Sequence, residues 1–146
     1  ASRLLEMFRP ADPIHNEQIE EISNYLDKQL NPLFDAVKKY PVVELIGCSG
    51  SFESLAEIIA HKFYTIESIE GKTECSIDVG DSALIYDEIM KSTREERLEI
   101  KGLTKMRVDL FVVSMLMMHY TYTKLRLRTL RMSTYSLKEG VLETLI

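Results

Sequence analysis

Cysteine is scarce in this chain: Cys48 and Cys75 stand in unrelated contexts, without the spacing of a metal-ligand pair. That excludes a disulfide-stapled scaffold and a cysteine-held metal, and it reads as two free thiols in a reducing compartment. The three histidines, His15, His61 and His119, are equally scattered, none at a catalytic or metal spacing from an acid or a cysteine. A basic surplus is missing too. With a formal net charge of -5 the chain is not a general nucleic-acid binder. Long apolar runs are absent: residues 108 to 118 are interrupted by Asp109 and soon followed by His119, too short a stretch to span a bilayer. No signal peptide precedes Arg3. A soluble, cytoplasmic protein with neither nucleic-acid nor membrane partners is expected, and the lack of an initial Met reads as numbering that begins inside a longer chain.

What is present suits one globular domain. Hydrophobic residues make up 45% of the 146 and charged residues 28%, enough to bury a core and too apolar for disorder. Charge is uneven: four basic residues and no acid fall between Lys124 and Arg131, and five acids with no Lys or Arg between Asp12 and Asp27.

Residues 42 to 56, Val-Val-Glu-Leu-Ile-Gly-Cys-Ser-Gly-Ser-Phe-Glu-Ser-Leu-Ala, anchor the reading. A β-branched and apolar run ends at Gly47, small hydroxyl residues surround Gly50, and Leu55, Ala56, Ile59 and Phe63 then recur at helical spacing. The expectation is a buried strand, a tight loop and a helix with Ser51 as its N-cap and Glu53 in its first turn. Such a turn exposes backbone N–H groups at the positive end of a helix, a seat for phosphate. The G-x-x-G spacing is neither a dinucleotide fingerprint nor a Walker A loop, since no Lys and no third glycine follow. Two readings stay open: an anion cradle, or a turn whose glycines merely permit its backbone angles.

Before the anchor, Ile19, Ile22, Tyr25 or Leu26, and Leu30 predict a helix that Asn31-Pro32 either kinks or ends; in the second case Asn31 caps a short helix carrying Leu33, Phe34 and Val37 inward. Residues 64 to 81 are polar and read as a surface insertion, with a small hairpin as one option. Asp81 or Ser82 would then cap a helix with Leu84, Ile85, Ile89 and Met90 inward. A charged turn over 93 to 98 and a bend at Gly102 lead to the longest helix, residues 105 to 125, apolar on nearly every face and therefore central. Its methionines read as adaptable core rather than a metal box. Residues 129 to 134 predict a second strand, and Ser136 with Glu139 a capping box opening the last helix. Strands separated by helices predict a small parallel sheet that needs further strands from elsewhere.

Three stretches then resemble one family. Leu45-Ile46-Gly47-Cys48-Ser49-Gly50-Ser51 with Leu55-Ala56 is similar to the "I-G-T-[SG]-G-T … L-A" segment of the exopolyphosphatase and guanosine pentaphosphate phosphatase (Ppx/GppA) family. Gly102-Leu103 with Arg107 and Asp109 is similar to its "G-L … R-A-D" run, and residues 130 to 142, containing Ser136-Leu137-Lys138-Glu139-Gly140, resemble its closing "S-L-R-E-G" element. Together they cover residues 42 to 146, with departures at Cys48, Ser51, Val108 and Lys138.

The resemblance implies a helix-rich α/β part of an actin-like ATPase (ribonuclease H-like) domain, namely the C-terminal part of the second of two lobes that close over phosphates. It implies a parent that hydrolyses inorganic polyphosphate or guanosine pentaphosphate with Mg²⁺. The family's D-x-G-S-N-S and D-x-G-G-G-S loops and its catalytic glutamate have no counterpart between Ala1 and Ile146; Ile77-Asp78-Val79-Gly80-Asp81-Ser82 is the nearest imitation. No catalytic residue and no metal ligand is therefore expected here. Gly47, Ser49, Gly50 and Ser51 are the candidate phosphate-binding residues. Arg107, Asp109, Lys138 and Glu139 are candidates for structural or site roles, and Gly140 for close helix packing. A fragment of this kind would be inactive alone and would self-associate through uncovered edges. Alternatives are a non-catalytic nucleotide- or partner-binding module of the same superfold and, less compatible with the closing element, a sugar-kinase-like member.

Overall fold

A computed structural model describes residues 1–145. The elements run α1 (Ser2–Phe8), α2 (Asn16–Lys39), β1 (Glu44–Cys48), α3 (Gly50–Phe63), a 3₁₀ turn (Ile66–Ser68), β2 (Glu74–Ile77), α4 (Val79–Lys91), α5 (Arg94–Leu98), α6 (Val108–Lys124), β3 (Thr129–Ser133) and α7 (Leu137–Glu143).

As its all-round apolar pattern predicts, α6 is the central helix. Its Val108, Phe111, Val113, Met115 and Leu116 are essentially inaccessible, and α1 to α5 all pack against it. Each such side chain contributes roughly 1.5–3 kcal/mol by leaving water. Around it lie Ile22 and Leu26 of α2, Leu55 and Ile58 of α3, and Ile85 and Ile89 of α4.

The sheet differs from the expected parallel pair. Its order is β1-β3-β2, with β1 parallel and β2 antiparallel to β3. The third strand comes from within the polar 64 to 81 stretch, and it pairs with distant β3 instead of forming a local hairpin. Leu130, Met132 and Ile77 point inward from β3 and β2, while Arg131 on the other face bridges Glu44 (3.2 Å) and Glu74 (3.3 Å). The anchor strand is not buried on both sides. Ile46 shares the outward face with Arg131 and is 60% exposed, and Val43, just before β1, is 81% exposed.

Several helix limits also shift. α2 continues through Pro32, which is exposed, as is Lys28, whose carbonyl the proline leaves without an N–H at a position open to solvent. Leu33 and Phe63 lie partly in solvent instead of turning inward. α4 begins three to four residues earlier than expected because Asp78 accepts from the N–H groups of Gly80 (2.7 Å) and Asp81 (3.1 Å). Its inward stripe is then Ser82, Ile85 and Ile89, and Leu84, one step round the helix, is exposed. No neighbour lies within 4 Å of where a Gly140 side chain would begin, so close packing is not its reason. No helix among the described residues is long and apolar enough to cross a membrane.

Candidate phosphate-binding turn

β1 and β3 run parallel and end side by side at Cys48 and Ser133. The β1–α3 turn and the residues after β3 therefore emerge at the carboxyl ends of neighbouring strands, where α/β sheets present their ligand crevices. The positive backbone angle of the turn falls on Ser49, at φ 69°, and on neither glycine. The glycines serve another purpose. A Cβ on Gly47 would lie 2.0 Å from the Phe52 ring, and one on Gly50 would lie 2.2 Å from Cζ of Arg107. Phe52 thus folds back over one glycine and a guanidinium lies on the other, and the choice between cradle and permissive hinge is recast as one of close approach.

Arg107 comes from the N-cap of α6. Its Nη1 donates to the Gly50 carbonyl at 2.5 Å and to Ser54 Oγ at 3.3 Å, and Glu53 stands 3.8 Å away. About a third of the side chain remains exposed, so the turn carries a positive charge that water still reaches. Gly50 opens α3 with Ser49 as N-cap, not Ser51; the N–H groups of Gly50 and Ser51 precede the first N–H that donates within the helix, that of Phe52. The Ser49 side chain makes no capping bond and is exposed. Ser51 points the other way: its hydroxyl donates to Ser114 Oγ at 3.0 Å, and Ser114 donates to the Leu110 carbonyl at 2.9 Å. Its side chain is engaged with α6, which leaves its backbone N–H as what it can offer an anion.

The remaining candidates separate. Asp109 leaves Arg107 and pairs with Arg94 Nε at 3.1 Å, both groups half exposed. Lys138 and Glu139 pair with each other at 3.2 Å. Glu139 accepts from the Ser136 hydroxyl (2.6 Å) and backbone N–H (2.7 Å), the capping box that the S-x-x-E spacing predicts. Those hydrogen bonds, the hydroxyl's first, hold its carboxyl at about 2. Asp78, in the segment that imitates a phosphate loop, caps α4 with its own carboxylate and so repels anions. Among the described residues no group of three or more His, Cys, Asp or Glu could hold a metal ion.

Sequence reasoning missed Arg97. It is 3% exposed, donates to the carbonyls of Val108 (3.0 Å) and Ser92, and pairs with Asp12 at 2.7 Å. The T-x-x-E capping box of Thr93 and Glu96 was its available signal, because it fixes the start of α5 and sends the next residue inward.

The model of the Ppx/GppA phosphatase family matches residues 1–146. The chain belongs to the Ppx/GppA phosphatase family. Among solved structures it is similar to an exopolyphosphatase from Cytophaga hutchinsonii, at 33% identity and a TM-score of 0.87 over 99% of this chain and 46% of that one. A Ppx/GppA family member from Aquifex aeolicus gives 24% identity and 0.78 over 99% and 46%, and an exopolyphosphatase-like protein 19% and 0.82 over 99% and 48%. None of the curated proteins matches. The chain thus spans a little under half the length of these relatives. The fold is that of Ppx/GppA actin-like ATPase-fold proteins, in a helix-rich α/β form with a small mixed sheet, and the activity class of the family is phosphatase.

Proposed function

We propose that this chain is the second-lobe wall of a phosphate cleft in a Ppx/GppA phosphatase that hydrolyses the phosphoanhydride bonds of inorganic polyphosphate or guanosine pentaphosphate. The observation that carries the reading is the Arg107 guanidinium laid on Gly50 at the start of α3, beside two backbone N–H groups free of helical partners. The N–H groups of Gly50 and Ser51 and the exposed Ser49 hydroxyl donate to phosphate oxygens. Arg107, tethered to the Gly50 carbonyl, adds positive charge without having to be ordered on binding. Asp109 ties α6 to α5 through Arg94, Lys138 pairs with Glu139 within α7, and both stay outside the chemistry.

The family implies Mg²⁺, which offsets phosphate charge when bound. The described residues do not fit it as a resident ion: Glu53, the one acid beside the turn, faces Arg107. The ion and the base that activates water therefore belong to the rest of a longer parent. The chain alone is expected to be inactive.

Phosphate release from polyphosphate and from guanosine pentaphosphate, with Mg²⁺ present, tests this on the chain and on a longer parent carrying residues ahead of Ala1. Release by the parent alone supports the reading and identifies the substrate. Turnover by residues 1–146 alone refutes it, and binding without turnover in the parent would favour a non-catalytic binding module.

A further inference from the structure

The far end of α6 borders a second cavity. His119 lies twelve residues beyond Arg107, about 18 Å along the helix axis at ~1.5 Å per residue, so this site is separate from the β1–α3 turn. The cavity has a volume of about 380 Å³ and opens between α2, α4 and α6. Tyr86, Leu116 and Tyr120 give it an aromatic and apolar wall, and His119, Lys124 and Arg126 bring polar groups to it. Pockets of this size with a few convergent polar groups are the usual form of small-ligand sites.

Its polar groups are differently engaged. The His119 ring stacks on Tyr86, with centroids 3.8 Å apart and planes 11° from parallel, and its Nδ1 is 2.7 Å from the Tyr122 hydroxyl. Burial pushes the imidazole down, against a weaker upward pull from Asp87, so it is neutral near pH 7. Where the Tyr122 hydroxyl donates to Nδ1, the ring N–H is left on Nε2. Asp27 is already taken up by the Tyr120 hydroxyl and by Lys124 Nζ at 2.6 Å. Arg126 is different: its guanidinium has no hydrogen bond or ion pair among the described residues, although it lines the cavity. An exposed cation without a protein partner beside a flat apolar wall favours one negative charge on a flat apolar body. Asp27 and Asp87 nearby disfavour anions of higher charge.

We propose that this cavity is a second ligand site, for a small aromatic monocarboxylate whose ring lies against Tyr86 and Leu116 and whose carboxylate is held by Arg126 and the His119 N–H. The probe is benzoate, titrated into the chain and followed by NMR at the His119 ring, the Leu116 methyls and the Thr123 amide. Benzyl alcohol tests the ring without the charge, and acetate the charge without the ring.

The expected result is saturable benzoate binding at those three residues by about 10 mM, with each partial probe at least about fivefold weaker. Arg126→Asn should weaken benzoate at least about fivefold, since Asn accepts the φ of 54° at this position and the backbone is kept. Tyr86→Leu, with the amide pattern elsewhere unchanged as the check on folding, should weaken benzoate and benzyl alcohol alike. Shifts that do not saturate or that centre elsewhere would overturn the proposal. So would equal binding of benzoate and benzyl alcohol, or benzoate binding that Arg126→Asn leaves unchanged.

Discussion

Placing a methyl group on Gly50 tests the Arg107 contact through a change of sign. The new Cβ would lie 2.2 Å from Cζ, 2.3 Å from Nη2 and 2.5 Å from Nη1 of Arg107. The obstacle is the far end of a flexible side chain, so the guanidinium moves and the backbone stays. Moving it forfeits the bond to the Gly50 carbonyl, a charged-donor bond of about 1.5–3 kcal/mol when buried. The Glu53 pair at 3.8 Å, with both partners a third exposed, adds little. With the guanidinium itself a third exposed, the loss discounts to about 1–2 kcal/mol. Against it stands a gain of about 0.4–1 kcal/mol from replacing Gly by Ala where φ is not positive.

Gly50→Ala in the native background should therefore destabilise by up to about 1.5 kcal/mol. In an Arg107→Ala background the three atoms nearest the methyl group are gone, and the same change should stabilise by about 0.4–1 kcal/mol. The coupling of about 1–2 kcal/mol exceeds the roughly 0.3–0.5 kcal/mol scatter of independent sites. Urea unfolding at one fixed protein concentration, followed by far-ultraviolet circular dichroism and tyrosine fluorescence, measures all four variants. Equal destabilisation by Gly50→Ala in both backgrounds would show that the guanidinium does not lie over Gly50, and the proposed phosphate wall would lose its central feature.

Three further outcomes are expected. Arg97→Met should cost about 1–3 kcal/mol in urea unfolding, because it removes the buried donor of the Val108 and Ser92 carbonyls, while Asp12, 40% exposed, keeps the Arg94 N–H. Burial raises the Asp12 carboxyl, but the Arg94 N–H and Arg97 together outweigh it and the net shift is downward. This contribution is full above the ordinary Asp value of about 3.9 and disappears as pH falls through the lower folded value, a dependence that Asp12→Asn should flatten. Glu139, held at about 2, stabilises α7 fully above its ordinary 4.5 and loses that contribution as pH falls through about 2. Ser136→Ala should return its titration, read by carboxyl NMR, toward 4.5. Self-association of the isolated chain is proposed through β1, an edge strand beside which Val43 and Ile46 are exposed. Sedimentation should show oligomers at micromolar concentration that Val43→Lys reduces, and a monomeric native profile would count against it.

The parts legible in the sequence were those with repeated period or a local bonding rule. The all-round apolar pattern of α6 located the centre of the core, and the S-x-x-E spacing located the cap of α7. β2 was not legible as a sheet strand. Only Cys75 and Ile77 alternate inward over its four residues, too short a period to stand out from a polar loop, and its partner β3 is more than fifty residues away. The start of α4 was ambiguous because Asp78, Asp81 and Ser82 are all competent caps; pairing of Ile77 with Leu130 ends the strand just before Asp78 and decides among them. At the turn, glycine was readable as a demand for space or for a positive φ, and one-dimensional spacing cannot separate these. The structure gives the positive φ to Ser49 and the space to Phe52 and Arg107.

The three family-like stretches brace one another, which explains why they could be recognised apart and not understood apart. Gly102, at φ 90°, brings its stretch onto α3 so closely that a Cβ would lie 2.7 Å from the Ile58 nitrogen. This docks the approach to α6 onto the helix that the turn begins, and Arg107, five residues later, returns to Gly50. The closing stretch supplies β3, whose register sets Ser133 beside Cys48. Each stretch therefore meets its constraint in another: Gly50 is small because of Arg107, and Gly102 because of α3. Arg107 reaches the turn because Gly102 lets its segment approach. A side chain added at Gly102 would have to push the segment off α3 and draw Arg107 away from Gly50, so the turn is sensitive to a change fifty-two residues from it.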